Sequence, residues 1–119
     1  MQTLAPTSLP RLPIQWALLF GCLLVVGGLA SKAMAADVMH TIVIEGMQYS
    51  PMHLEVKLGD TVVWENKDPF PHTATSDDKT LDSGNIESAQ AWKYQTKTKG
   101  SFPYICTLHP TMKATLVVK

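Results

Sequence analysis

From residue 38 onward, apolar and polar residues follow one another in short runs, and no stretch keeps helical spacing over a useful length. Val38 to Ile44 is rich in β-branched residues and bounded by Glu45-Gly46, which predicts a strand. Met47 to Pro51 reads as a break. Leu54-Glu55-Val56-Lys57-Leu58 alternates apolar and charged, the pattern of a half-buried strand, and Gly59-Asp60 turns the chain. Thr61 to Asn66 predicts another strand, ended by Lys67-Asp68-Pro69, and His72 to Ser76 a short one. Asp77 to Ala89 is polar and reads as a solvated loop. Ala91 to Thr96 alternates again, Phe102 to Cys106 follows the turn at Lys99-Gly100, and Lys113 to Lys119 closes the chain as a strand. Seven short strands with Gly, Pro and Asp turns predict an all-β sandwich or barrel. Phe102, Tyr104 and Cys106 share one parity and face one side of their strand, so Cys106 ends a core-facing row.

The first third of the chain does not share this pattern. Trp16 to Ala30 is apolar throughout, yet short for a bilayer span, which takes about 20 residues. Arg11 precedes it and Ala33-Met34-Ala35 follows as an A-x-A site. This is the layout of a secretory signal peptide cut between Ala35 and Ala36, the alternative being an uncleaved N-terminal anchor. Residues 1–35 are therefore expected to be leader and residues 36–119 the folded domain.

Removing the leader changes the charge. Residues 36–119 hold eight Lys, no Arg and ten acidic residues, a net charge of −2, so no basic surface for nucleic acid is present. One cysteine remains, Cys106, which excludes an internal disulfide. An exposed thiol is a liability in an oxidising compartment, so Cys106 is expected to be buried, metal-bound or both. Burial alone would be the ordinary fate of a free cysteine. Its neighbours argue for more. Tyr104 to Met112 places a thiol, an imidazole and a thioether at C-x2-H-x2-M spacing, as Cys106, His109 and Met112. Soft sulfur with imidazole selects copper. A second imidazole is needed, and His72, in Pro69-Phe70-Pro71-His72-Thr73, is placed to supply it. Two His, one Cys and a weak axial Met make a blue-copper electron-transfer site. Pro69, Pro71 and Pro110 each fix a φ angle beside these residues, although ordinary turn chemistry explains each one singly.

These residues resemble the cupredoxins, the type 1 blue-copper proteins, in their amicyanin-like and small plastocyanin-like form. The resemblance rests on Tyr49-Ser50-Pro51, Gly59-Asp60-Thr61-Val62, Trp64-x-Asn66, Pro71-His72 and the stretch from Gly100 to Met112 with its short C-x2-H-x2-M loop. It implies a Greek-key β-sandwich, one type 1 copper on His72, Cys106, His109 and Met112, and one-electron transfer between periplasmic or lumenal partners. Many cupredoxins follow the first histidine with Asn, whose side chain ties the two ligand loops together. Here the residue is Thr73, and a hydroxyl is expected to form fewer bonds across the loops.

The expected protein is a monomeric, exported carrier of single electrons and not an enzyme, since four protein ligands leave no position for substrate. Its donor and acceptor would dock near His109, within a collar of Pro69, Phe70, Leu108, Pro110 and Met47. The membrane would matter only through an uncleaved leader. A second reading is a periplasmic copper-trafficking protein without redox turnover, for which Met39, His40, Met47, Met52 and His53 would form an exposed Cu(I) cluster. His40 and His53 are otherwise expected at the surface as non-ligands, and Trp64, Trp92 and Tyr94 as core or sheet aromatics.

Overall fold

A computed structural model describes residues 27–28 and 37–119. The expected leader and its cleavage point lie outside the described residues. Eight strands form between Met39 and Val118: β1 (Met39–Glu45), β2 (Gln48–Ser50), β3 (His53–Val56), β4 (Thr61–Asn66), β5 (Thr75–Ser76), β6 (Ala91–Gln95), β7 (Gly100–Cys106) and β8 (His109–Val118). One sheet runs in the order β2-β1-β4-β6 and the other β3-β8-β7-β5, so the chain passes repeatedly from sheet to sheet. The pairs β1–β4 and β3–β8 are parallel and the rest antiparallel. This is the all-β sandwich that the alternation predicts.

Alternation also selects what is buried. Ile42, Ile44, Val62 and Trp64 from one sheet meet Val56, Tyr104, Leu116 and Val118 from the other in a single core cluster. Burying side chains of this size contributes about 1.5–3 kcal/mol each. Trp64 is wholly buried, and its indole N–H donates to the Tyr104 hydroxyl at 3.2 Å, which satisfies the one polar atom it takes inside. Tyr49 packs edge-on against Tyr104, with ring centroids 4.9 Å apart. Trp92 and Tyr94, half-buried on β6, stack at the flank of Trp64.

Three segments depart from the pattern reading. Met47 to Pro51 is not only a break, because Gln48–Ser50 forms β2. It follows β1 through a two-residue turn in which Gly46 and Met47 both have φ of 61°, as a type I′ hairpin turn demands. His72 lies ahead of β5, which begins only at Thr75; it exchanges backbone hydrogen bonds with Ile86 as an isolated bridge. The 77–89 loop is anchored by that bridge, by a second between Thr75 and Asp82, and by the buried side chains of Leu81 and Ile86. Two apolar residues in a polar stretch carry no period, so the pattern could not mark them as anchors.

Candidate metal centre

The β7–β8 connection is a tight one: Thr107 and Leu108 form the turn, and Cys106 pairs with His109. One residue further back, Ile105 pairs with Lys113, so β7 advances by one residue while β8 spends four. Pro110, Thr111 and Met112 are the excess, a wide bulge in β8. The bulge reconciles two needs. Met112, Ala114, Leu116 and Val118 keep the inward parity of β8, while His109, which a regular ladder could not also turn inward, stays beside Cys106.

Cys106 is fully buried and its Sγ lies 3.7 Å from His72 Nδ1 and 3.6 Å from His109 Nδ1. The three ligand atoms all lie within 4.8 Å of one another, which makes this the one such cluster of His, Cys and carboxylate groups among the described residues. The two imidazoles come from distant parts of the chain and meet with ring centroids 5.0 Å apart. His72 is wholly buried and His109 only partly. Met112 is buried in the same core cluster as Cys106. His40 and His53 lie elsewhere: His40 Nε2 is 2.9 Å from Asp60, and the exposed His53 ring is 3.8 Å from Glu55.

The residues around the cluster fix its donors. Asp68 Oδ2 lies 2.7 Å from His72 Nε2, so His72 donates from that nitrogen and leaves the Nδ1 lone pair aimed at Cys106. The same carboxylate accepts from Gly46 N–H at 2.7 Å and Met47 N–H at 3.0 Å. Burial works to raise the Asp68 carboxyl, but the Met47 and Gly46 amides and the His72 ring outweigh it and hold it below the usual carboxylate range. Asn66 in turn accepts from Asp68 N–H and donates to the carbonyls of Phe70 and Ile86, both at 2.8 Å, which braces the turn carrying His72. The backbone N–H of Thr73 donates to Cys106 Sγ at 3.3 Å, a contact that favours the thiolate. The Tyr49 hydroxyl donates to the Thr73 carbonyl, and burial first, then the nearby Cys106, pushes that phenol well above its ordinary range.

Thr73 does more than the sequence suggests. Its Oγ1 accepts from Thr107 N–H at 2.9 Å, and the Thr107 and Thr75 hydroxyls each lie 3.1 Å from it. The link between the two loops is therefore made by the Thr73 hydroxyl. The hydroxyl serves because the short β7–β8 turn brings Thr107 N–H directly to it.

Asp68 is the residue that sequence reasoning missed at this site. Its one signal is its place four residues before His72, which reads equally well as part of an Asp-Pro turn.

The donor chemistry fits copper. Thiolate with imidazole suits copper, and bonds of about 2.0 Å to nitrogen and 2.3 Å to sulfur, the lengths of the comparable zinc ion, put the two about 3.5–3.7 Å apart between tetrahedral and trigonal angles, an interval that holds both separations here. The match to known proteins is of the same kind. A family model described as a cupredoxin-like domain matches residues 17–118. The chain belongs to this family of blue-copper electron-transfer proteins, and copper is its cofactor. Within the family it is similar to amicyanin of Paracoccus denitrificans, at 32% identity over 75% of this chain and 72% of that one. It is also similar to chloroplastic plastocyanin of Pisum sativum, at 30% identity over 87% and 74%. Among solved structures, the Cu(I) form of an amicyanin mutant superposes with a TM-score of 0.63 at 32% identity, covering 73% of this chain and 88% of that one.

Proposed function

We propose that the exported domain, residues 36–119, is a periplasmic carrier of single electrons and not an enzyme, with its copper held by His72, Cys106 and His109 and by Met112 as a weak axial ligand. The observation that carries this reading is the buried Cys106 sulfur standing between two imidazole nitrogens at nearly equal distance. Held by these residues, copper would supply one-electron chemistry between Cu(II) and Cu(I). The chain's own residues keep that exchange cheap in motion. Asp68 holds the His72 ring, Thr73 N–H holds the sulfur, and the Thr73–Thr107 bond locks the loops that carry them. Less movement between oxidation states means a lower barrier.

His109 is the one imidazole of the cluster with a solvent-facing part, and partners are proposed to dock over it. Phe70 lies 5.8 Å from the His109 ring, and Phe70 and Leu108 are both exposed large apolar residues. Pro69 and Pro110 are exposed beside them. Such an apolar collar suits a weak, short-lived contact between redox proteins.

The trafficking alternative draws less support, since Met39 and His40 stand apart from Met47 and Met52, which share one cleft. Met39 begins β1 and Met47 follows its end, roughly 20 Å away along an extended strand, and His40 is engaged with Asp60. The test is an optical spectrum of the exported protein after addition of Cu(II). An intense visible thiolate-to-copper band with one copper per chain is expected. A colourless complex would overturn the reading.

A further inference from the structure

A cleft of about 290 Å³ lies between the β1–β2 hairpin and the bulge of β8. Three thioethers line it, from Met47, Met52 and Met112, with Gln48, Thr111 and Lys113 as its polar part. Met52 is 63% exposed, Met47 half-buried and Met112 buried, so the three run from solvent to the interior. Met112 belongs to the same core cluster as Cys106 and is the proposed fourth copper ligand, so on the carrier reading it is the link from the cleft to the metal centre.

Met47 occupies an unfavourable position for a side chain. A φ of 61° in a type I′ turn favours Gly, Asn or Asp, and another residue there costs about 1–2 kcal/mol. The backbone is held in this conformation by Asp68, which accepts from Met47 N–H and also orients His72.

Thioether sulfur is a soft donor and prefers Cu(I) to Cu(II) or zinc. Two or three thioethers hold Cu(I) less firmly than a thiolate with two imidazoles, so an ion resting here would move inward. We infer that this cleft is the entry site for Cu(I), which Met52 and Met47 capture from solvent and Met112 passes to Cys106 and the two histidines. The inference rests on the copper-carrier reading. No electron is exchanged in the step: Cu(I) keeps its charge, its bonds to the Met52 and Met47 thioethers break, the Cys106 S–H bond breaks with its proton passing to water, and a copper–sulfur bond to Cys106 forms. The Lys113 ammonium is the one formal charge among the lining residues, and it opposes the ion. Capture therefore depends on the thioethers and not on electrostatic attraction.

The experiment follows copper uptake by the copper-free chain under anaerobic conditions, with Cu(I) supplied as a coloured bicinchoninate complex and, separately, with aqueous Cu(II). Met47→Leu and Met52→Leu conserve volume and remove only the sulfur. Together they are expected to slow Cu(I) uptake about tenfold, the consequence of removing soft donors, while Cu(II) uptake, final stoichiometry and visible band stay as in the wild type. Met39→Leu, similarly exposed but at the start of β1, is expected to change nothing. Unchanged Cu(I) rates in the double variant, or equal slowing for both oxidation states, would overturn the entry site and leave the carrier reading standing. A wild-type chain that takes up no copper in either state would overturn both.

Discussion

Cys106 and Met112 reach the same buried cluster from opposite strands of one hairpin, but their sulfurs differ in strength as ligands. A thiolate binds copper strongly, whereas a thioether serves as the long, weak fourth ligand. Cys106→Ser is therefore expected to abolish the visible band, and Met112→Leu to keep a coloured site with a raised potential. Absorption spectra and voltammetry of the two variants decide it, and equal loss of colour would reverse the roles. The approach of Cys106 to His109 was legible because the two metal donors stand three residues apart in one turn. His72 was legible only through the need for a second imidazole and through family resemblance. Asp68 was not: a carboxylate that orients a histidine has no residue type or spacing of its own, and only the folded chain shows it reaching His72, Gly46 and Met47 at once. Removing it leaves three donors without their acceptor. Asp68→Ala should destabilise the copper-free chain by roughly 2–3 kcal/mol, as buried donors lose their partners. Chemical denaturation measures this, and a change below about 0.5 kcal/mol, the level of an ordinary surface substitution, would show the carboxylate to be dispensable.

At the level of elements, the strands with clear alternation were legible and the short ones were not. β7 shows the expected inward row, and Cys106 does end the row of Phe102 and Tyr104. β2 escaped because three residues beside a proline carry too little pattern, and its pairing comes from the hairpin turn. The bulge of β8 escaped for another reason. Period-two reasoning starts the strand at Lys113, whereas the ladder continues to His109 by skipping three residues. The β7–β8 turn and the 72–76 segment are joined through Thr73. Thr73→Val keeps the shape, removes the acceptor of Thr107 N–H and breaks the hydroxyl links. Loss of stability of about 1–3 kcal/mol is expected, together with a shifted reduction potential, because partners of ligand loops set ligand orientation. Thr73→Ser should restore both. A Val variant with unaltered potential would remove the loop link from any role in tuning the copper.

The folded domain between Met39 and Val118 has two poles with different tasks. One end holds the cluster and its apolar collar. At the start of β1, His40 and Lys57 N–H both bind the Asp60 carboxylate, and these contacts, the His40 side chain first, hold its pKa below the usual value. Since the folded chain favours the ionised form, the resulting stability is present above the unfolded value of about 3.9 and is lost as pH falls through the folded value. The acid limb of a denaturation profile should therefore be shallower in Asp60→Asn, with the visible band at neutral pH unchanged. At the other pole, the collar around His109 bears no formal charge on Phe70, Leu108, Pro69 or Pro110. Two carriers, or a carrier and its partner, can then bring their imidazole edges together without desolvating an ion. Leu108→Glu places a carboxylate in that contact. In self-exchange both molecules carry it, so like charges face each other, a juxtaposition that costs several kcal/mol when buried and less at a rim. The self-exchange rate, read from NMR line widths in mixtures of oxidised and reduced protein, is expected to fall about tenfold or more at low salt and to recover partly as salt screens the repulsion. The visible spectrum should not change, because Leu108 lies in the turn and is 46% exposed. Met39→Glu adds the same charge at the far pole and should leave the rate nearly untouched. Equal slowing by both substitutions would point to net charge alone, and no slowing by Leu108→Glu would move the docking face away from His109.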